Sequence, residues 1–322
     1  MNKMKKIGLS ALAGSLVAFS ANAEITMSGG ASVGVSQGAE PRASAYYMGD
    51  SINFTLSGET DNGLTITQKI ELEGGVDNQS TAIAGDWGTL TYHKHGGDSV
   101  MSGWDDMTPN AYDESWGVVT HDATTTGSNT EVVMINGRAG NALWRYDSPS
   151  FSGFSVHAAY VQAEAAAGEA DHGDVGSYSD FGVQYAPEAV EGLTIGYATA
   201  EIDESATKTN DESTLWVKYT NGPITVGYQE SDVDGQTTTE DDAATLYSVS
   251  YAVSDDLSIS YGQSEVDLGS STVDQQSSGF SASYTMGGVS ISLAMNSVDN
   301  VGGQTGTSYD IEAYDLNFAF AF

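Results

Sequence analysis

The residues with the most chemistry in this chain of 322 lie close together: Asp98, Asp105, Asp106, Asp113 and Glu114, interleaved with Trp104, Tyr112 and Trp116. Carboxylates at that density make a negative field that draws cations. Asp105 and Asp106 are also weak candidates for a loosely held Ca or Mg ion, as are Asp232 and Asp234 with Glu240, Asp241 and Asp242. No complete EF-hand loop with its glycine and terminal glutamate is present, so no firm metal site and no cofactor follow. Catalysis has little support. His93, His95, His121, His157 and His172 sit in neither an H-E-x-x-H nor a G-x-S-x-G context. His93 and His95 share one strand face, but no third metal ligand accompanies them. The expectation is a protein that is not an enzyme.

The charge balance narrows the class further. There are 10 Lys+Arg against 44 Asp+Glu. Lys3, Lys5 and Lys6 precede an apolar run from Ile7 to Phe19 that closes on Ala21-Asn22-Ala23, which reads as a secretory signal peptide with an A-x-A cleavage site. The run is too short, and too interrupted by Ser10, Gly14 and Ser15, for a transmembrane helix. Removing residues 1–23 takes three lysines and leaves 7 basic against 44 acidic residues, or −37. Such a surface repels nucleic acid. The absence of Cys excludes a disulfide framework in an exported chain.

Positioning these residues falls to strands. With 38 Gly, 17 Tyr and 5 Pro, short strands and tight turns are favoured throughout residues 24–322, and no linker divides them. Apolar and aromatic residues alternate with Ser, Thr and Gly, as in Leu193/Ile195/Tyr197, Tyr247/Val249/Tyr251/Val253, Phe280/Ala282/Tyr284/Met286 and Val289/Ile291/Leu293/Met295. A soluble sandwich would fill its inner face with bulky apolar side chains. Here the second face is small and polar, as when the apolar face meets lipid and the polar face meets water. Tyr residues near strand ends fit interfacial girdles.

The connections alternate in length. Short turns fall at Asp61-Asn62-Gly63, Gly85-Asp86, Ser148 to Gly153, Pro187 to Gly192, Asn221-Gly222, Ser254-Asp255-Asp256 and Gly287-Gly288. Longer polar loops fall near 36–50, 74–79, 96–141, 164–177, 203–212, 232–243, 266–277 and 297–308. Seven turns and eight loops imply sixteen strands. An open edge in hydrocarbon would leave backbone groups unsatisfied at several kcal/mol each. The first strand, Ile25 to Val35, should therefore pair with the last, Tyr309 to Phe322, in a transmembrane antiparallel β-barrel. Sixteen strands enclose more space than side chains fill, so an aqueous channel is expected.

The C-terminus, Tyr314-Asp315-Leu316-Asn317-Phe318-Ala319-Phe320-Ala321-Phe322, resembles the signal by which barrel-assembly machinery recognises outer-membrane barrels, with Phe322 as its last element. The chain as a whole resembles the Gram-negative general porins, above all those of the Rhodobacter type. Its most specific segment is Gly85-Asp86-Trp87-Gly88-Thr89-Leu90-Thr91 followed by Gly96-Gly97-Asp98-Ser99. The resemblance implies an outer-membrane homotrimer among lipid and lipopolysaccharide, passing small hydrophilic solutes and ions. It also implies that the long third loop, 96–141, folds into the pore. Asp98, Asp105, Asp106, Asp113 and Glu114 would then form the acidic side of a constriction. Its basic side would be Lys69 and Arg145 on the wall, where a lipid-facing charge would cost about 2–4 kcal/mol. Arg42, Lys94, Arg138 and Lys218 are weaker wall candidates. Scarce positive charge predicts cation selectivity. Trp104, Tyr112 and Trp116 are either pore-lining aromatics of a substrate-selective channel or packing for the loop. A closed adhesive barrel would instead need bulky inward side chains.

Overall fold

The computed structural model describes residues 24–37, 45–118, 135, 137–140, 142–162, 176–205, 208–307 and 309–321. Sixteen antiparallel strands close into one barrel. They are β1 (Glu24–Gln37), β2 (Ala45–Glu59), β3 (Thr65–Leu72), β4 (Val76–Gly85), β5 (Gly88–His95), β6 (Leu143–Asp147), β7 (Phe154–Val161) and β8 (Tyr178–Tyr185). The second half comprises β9 (Leu193–Ser205), β10 (Lys208–Asn221), β11 (Ile224–Asp234), β12 (Asp242–Ala252), β13 (Leu257–Leu268), β14 (Gln275–Met286), β15 (Val289–Asp299) and β16 (Ile311–Ala321). Each pairs with its chain neighbour, and β1 closes on β16 from Gly30↔Ala321 to Gln37↔Tyr314. A further two-residue ladder, Gly97–Asp98 with Ala139–Gly140, ties together the two ends of the β5–β6 connection.

Period two sorts the side chains. Residues of one parity (Tyr197, Leu215, Val226, Tyr247, Val249, Tyr261, Phe280, Met295, Phe318) are exposed on the outer surface and align across strands, as in Val226↔Val249 and Tyr228↔Tyr247. The other parity is inward and mostly Ser, Thr, Gly, Asn and Gln. Aromatic pairs brace the outer surface near the short turns: Phe154 stacks on Tyr185 at 4.1 Å and Trp87 on Tyr146 at 6.2 Å between ring centroids.

All seven expected turns connect strands where the sequence placed them, but several expected loops are shorter. Most of the expected 203–212 loop is strand, because β9 continues to Ser205 and β10 starts at Lys208. Likewise β4 begins at Val76, and the 232–243 and 266–277 loops contract to 235–241 and 269–274. The physical reason is that these strand ends project past the apolar belt. Beyond Tyr197, Tyr228 and Tyr261 the outward positions become Glu201, Glu230 and Glu265, while the backbone ladder continues through Ile202↔Asn210, Glu212↔Val233 and Glu265↔Gln276. A strand in water on both faces needs no hydrophobic alternation, so its pattern reads as loop.

Candidate functional site

Residues 98–118 follow β5 and are bound along the inward face of the barrel. Arg145 on β6 fixes the start of the segment: its Nη1 donates to the carbonyls of Asp98 and Ser99, each at 3.2 Å, while its Nε lies 3.2 Å from both oxygens of Asp147. From there the segment crosses the wall strand by strand. Ser99 Oγ lies 2.9 Å from Tyr178 Oη, and Met101 N donates to Asp180 Oδ2 at 2.9 Å, both partners on β8. On β11, Gln229 is fully buried; its Oε1 accepts from Met107 N at 2.6 Å and its Nε2 donates to the carbonyls of Trp104 at 2.8 Å and Asp105 at 3.1 Å. Ala111 N donates to Ser260 Oγ on β13 at 2.8 Å. On β14, Ser277 Oγ lies 2.8 Å from Ser115 Oγ, and on β15 Asn296 accepts from Val118 N at 2.8 Å and donates to the Glu114 carbonyl at 2.9 Å. Asp315 on β16 accepts from Tyr112 Oη at 2.8 Å and from Tyr47 Oη of β2 at 2.9 Å.

Glycines make this seat. A Cβ at Gly182 would stand 2.9 Å from the Trp104 ring, one at Gly227 would stand 2.4 Å from Pro109 Cδ, and one at Gly279 would stand 2.6 Å from Ser115 Cα. At these three inward positions the bare backbone admits the segment to within contact distance. Sequence reasoning missed Gln229, Asn296, Asp180 and Asp315 as anchors. The available signal was the inward glycine near the middle of β8, β11 and β14, where alternation alone gives no reason for one.

The expected acids fall into distinct environments. Asp98 is exposed and accepts from Ser102 Oγ at 3.3 Å. Asp105 is exposed at its surface yet loses enough water around its carboxyl for its pKa to rise. Asp106 is more enclosed: Oδ1 accepts from the N and Oγ1 of Thr108, each at 2.7 Å, Oδ2 is buried without a hydrogen-bond partner, and desolvation pushes the carboxyl up to about 7. Asp113 is raised as well, by desolvation first, then by a hydrogen bond that its protonated form donates to the adjoining Glu114 carboxyl and by the charge of that carboxyl. Among the described residues no three His, Asp or Glu side chains stand close enough to hold a metal ion.

Lys69 and Arg145 do meet on one inward patch, with Asp98, Asp147 and His93 around a recess of about 420 Å³. Lys218 is also inward, its Nζ 5.9 Å from the centre of the Trp216 ring. Lys94 is on the opposite parity, and Arg138 contributes its backbone to the Ser99 contacts. Arg42 and Phe322 lie outside the described residues.

Of the two uses open to the aromatics, packing is the one the structure displays. Trp104 is buried, edge-on to Trp216 at 5.4 Å and to His157 at 5.6 Å. Trp116 packs against the clusters around Val298 and Leu246, and Tyr112 is spent on Asp315. These side chains fasten the segment to the wall instead of lining a path as a row.

A family model described as Gram-negative porin matches residues 8–303. The chain belongs to the Gram-negative porins. No curated protein matches this porin in sequence. Among solved structures it is similar to a porin refined at 1.8 Å resolution, with TM-score 0.67, 18% identity, 93% of this chain and 100% of that chain covered. It is also similar to the outer-membrane protein OmpT of Vibrio cholerae (TM-score 0.67, 12% identity, 93% and 98% covered) and to a variant of the Rh. blastica porin (TM-score 0.63, 16% identity, 93% and 100% covered). At these identities the structural likeness speaks for the fold, and the family match places the porin in the outer membrane as a channel for passive diffusion.

Proposed function

We propose that this porin is a cation-selective channel for small hydrophilic solutes and ions, narrowed by the segment Asp98–Val118. The observation that carries the reading is the succession of anchors from β8 to β16, which holds a segment bearing five carboxylates (Asp98, Asp105, Asp106, Asp113 and Glu114) against the polar wall. Lys69 and Arg145 supply the opposing charge. Arg145 is already engaged by Asp147 and the backbone at Asp98, so the field it projects is partly neutralised and the acids dominate. Fixed negative charge in a narrow aqueous path raises the local cation concentration, and added salt screens it. Eighteen residues of the 96–141 stretch lie outside the described set, so the constriction rests on the anchored part, 98–118. A trimer is the assembly proposed, as in the trimer form of OmpT (TM-score 0.64, 13% identity).

The reversal potential in a KCl gradient across planar bilayers tests the reading. A cation-selective potential that shrinks when Asp105, Asp106, Asp113 and Glu114 are replaced together by their amides is expected, with current rising in steps of three. An anion-selective potential, or one indifferent to the four substitutions, refutes it.

A further inference from the structure

A second constellation stands on the inner wall apart from the five acids. Ser155 and His157 are separated by two positions on β7, so both face inward, and the register sets His157 opposite Asp147 on β6. Ser155 Oγ is 3.1 Å from His157 Nε2, and His157 Nδ1 is 2.7 Å from Asp147 Oδ1. The contacts set the roles that a neutral imidazole takes here. Asp147, gripped through both oxygens by Arg145 Nε, is an acceptor, so Nδ1 of a neutral imidazole carries the hydrogen. Nε2 then has only a lone pair to offer, and the Ser155 hydroxyl donates to it. That is the proton arrangement a serine nucleophile requires: a general base in the reactive tautomer, oriented by a carboxylate.

The surroundings hold these side chains in place. The Trp104 edge rests against the His157 imidazole, admitted by Gly182, which pairs with His157 across the β7–β8 ladder. Gln184, on the same inward face of β8, is the cross-strand partner of Ser155. Outward, Phe154 is locked on Tyr185, which holds this end of β7 in place. Ser155 and His157 are both half-buried, and Ser155 lies next to the short turn 148–153, at the mouth of the barrel.

We propose that Ser155, His157 and Asp147 form a hydrolytic site for small carboxylic esters that enter the channel. Ser155 Oγ bonds to the ester carbonyl carbon as its proton passes to His157 Nε2, and the carbonyl π pair moves onto oxygen. Collapse of this intermediate breaks the bond between carbon and the alkoxy oxygen, which leaves as the alcohol with the proton from Nε2. Water then attacks the acyl-serine, giving its proton to His157 Nε2. The second collapse returns that proton to Ser155 Oγ and releases the carboxylic acid. Asp147 keeps its charge throughout and steadies the imidazolium.

The test uses the refolded full barrel, checked for its single-channel conductance. A fluorophosphonate probe should add to the peptide that carries Ser155, and p-nitrophenyl acetate should be hydrolysed. Ser155→Ala should abolish the adduct and lower hydrolysis by about 100-fold or more, and His157→Gln should do the same through loss of the base. Conductance should stay unchanged in Ser155→Ala, which shows that the barrel is intact. An unlabelled Ser155 overturns the proposal, because a hydrogen-bond chain that merely braces the wall would not react. Equal hydrolysis by Ser155→Ala overturns it also.

Discussion

Replacing Gln229 by Ala should loosen the segment Asp98–Val118 while sparing the barrel. The magnitude follows from what one side chain satisfies. Gln229 accepts from Met107 N and donates to the carbonyls of Trp104 and Asp105, from a position with no exposure to solvent. Truncation leaves three backbone groups of the segment without their partner. If water entering the vacated space restores most of each bond, the net loss is still about 1 kcal/mol per group, or about 3 kcal/mol in all. That is about a 100-fold shift in the ratio of seated to unseated segment. The ladders β10–β11 and β11–β12 are backbone pairs and are untouched by the change. Single-channel recording should therefore show higher mean conductance and more open-channel noise, and protease should cut within 98–118 more readily, with the far-ultraviolet dichroism unaltered. A variant with the original conductance, noise and protease resistance would refute the idea that Gln229 holds the segment.

Three other outcomes follow from the same seat. Gly279→Val puts a Cβ about 2.6 Å from Ser115 Cα, so the segment must lift by several tenths of an ångström, and conductance should rise with heat-stable barrel migration preserved; unchanged conductance would count against the seat. Tyr112→Phe removes the donor to Asp315 and the acceptor for Asn317 Nδ2, and should destabilise seating by about 1.5–3 kcal/mol, seen as increased noise that Tyr47→Phe augments. Asp106 has a folded pKa of about 7 against 3.8 for an unperturbed carboxyl, so the folded state binds the extra proton between those values. Its contribution to stability is complete below pH 4 and disappears as pH rises through 7. Cation selectivity should move the other way, falling as pH is lowered through 7, and Asp106→Asn should flatten that step in a reversal-potential titration.

The spanning part of the fold was legible because lipid imposes its own pattern. An outward position between two interfaces must be apolar, and the alternation in β11 to β15 records that demand directly. Polar strand ends carried no such record, which is why β9 and β10 reached further than their composition suggested. The acids and the Lys69–Arg145 patch were legible as charge, whereas the seat of the loop was not, since Gln229 and Asn296 look like any inward polar residue until their partners more than a hundred positions away are known. The roles of Trp104 and Trp116 were undecided for the same reason: composition does not reveal which neighbours an aromatic ring will find. Ser155, His157 and Asp147 fit no linear motif, because their spacing is set by two paired strands and not by one turn.

Closure of β1 on β16 has a consequence for timing. Every other ladder joins strands adjacent in the chain, so hairpins can form as their second strand arrives. The seam joins Gly30 to Ala321, and its backbone partners do not exist until nearly the last residue has been made. It is also shorter than the β1–β2 ladder, with eight paired residues against thirteen. Until that seam zips, two rows of amide and carbonyl groups face outward, a surface that lipid cannot satisfy and another chain can. The final strand is therefore a fastener as well as a wall, and a chain cut short by one strand is an open sheet waiting for a partner.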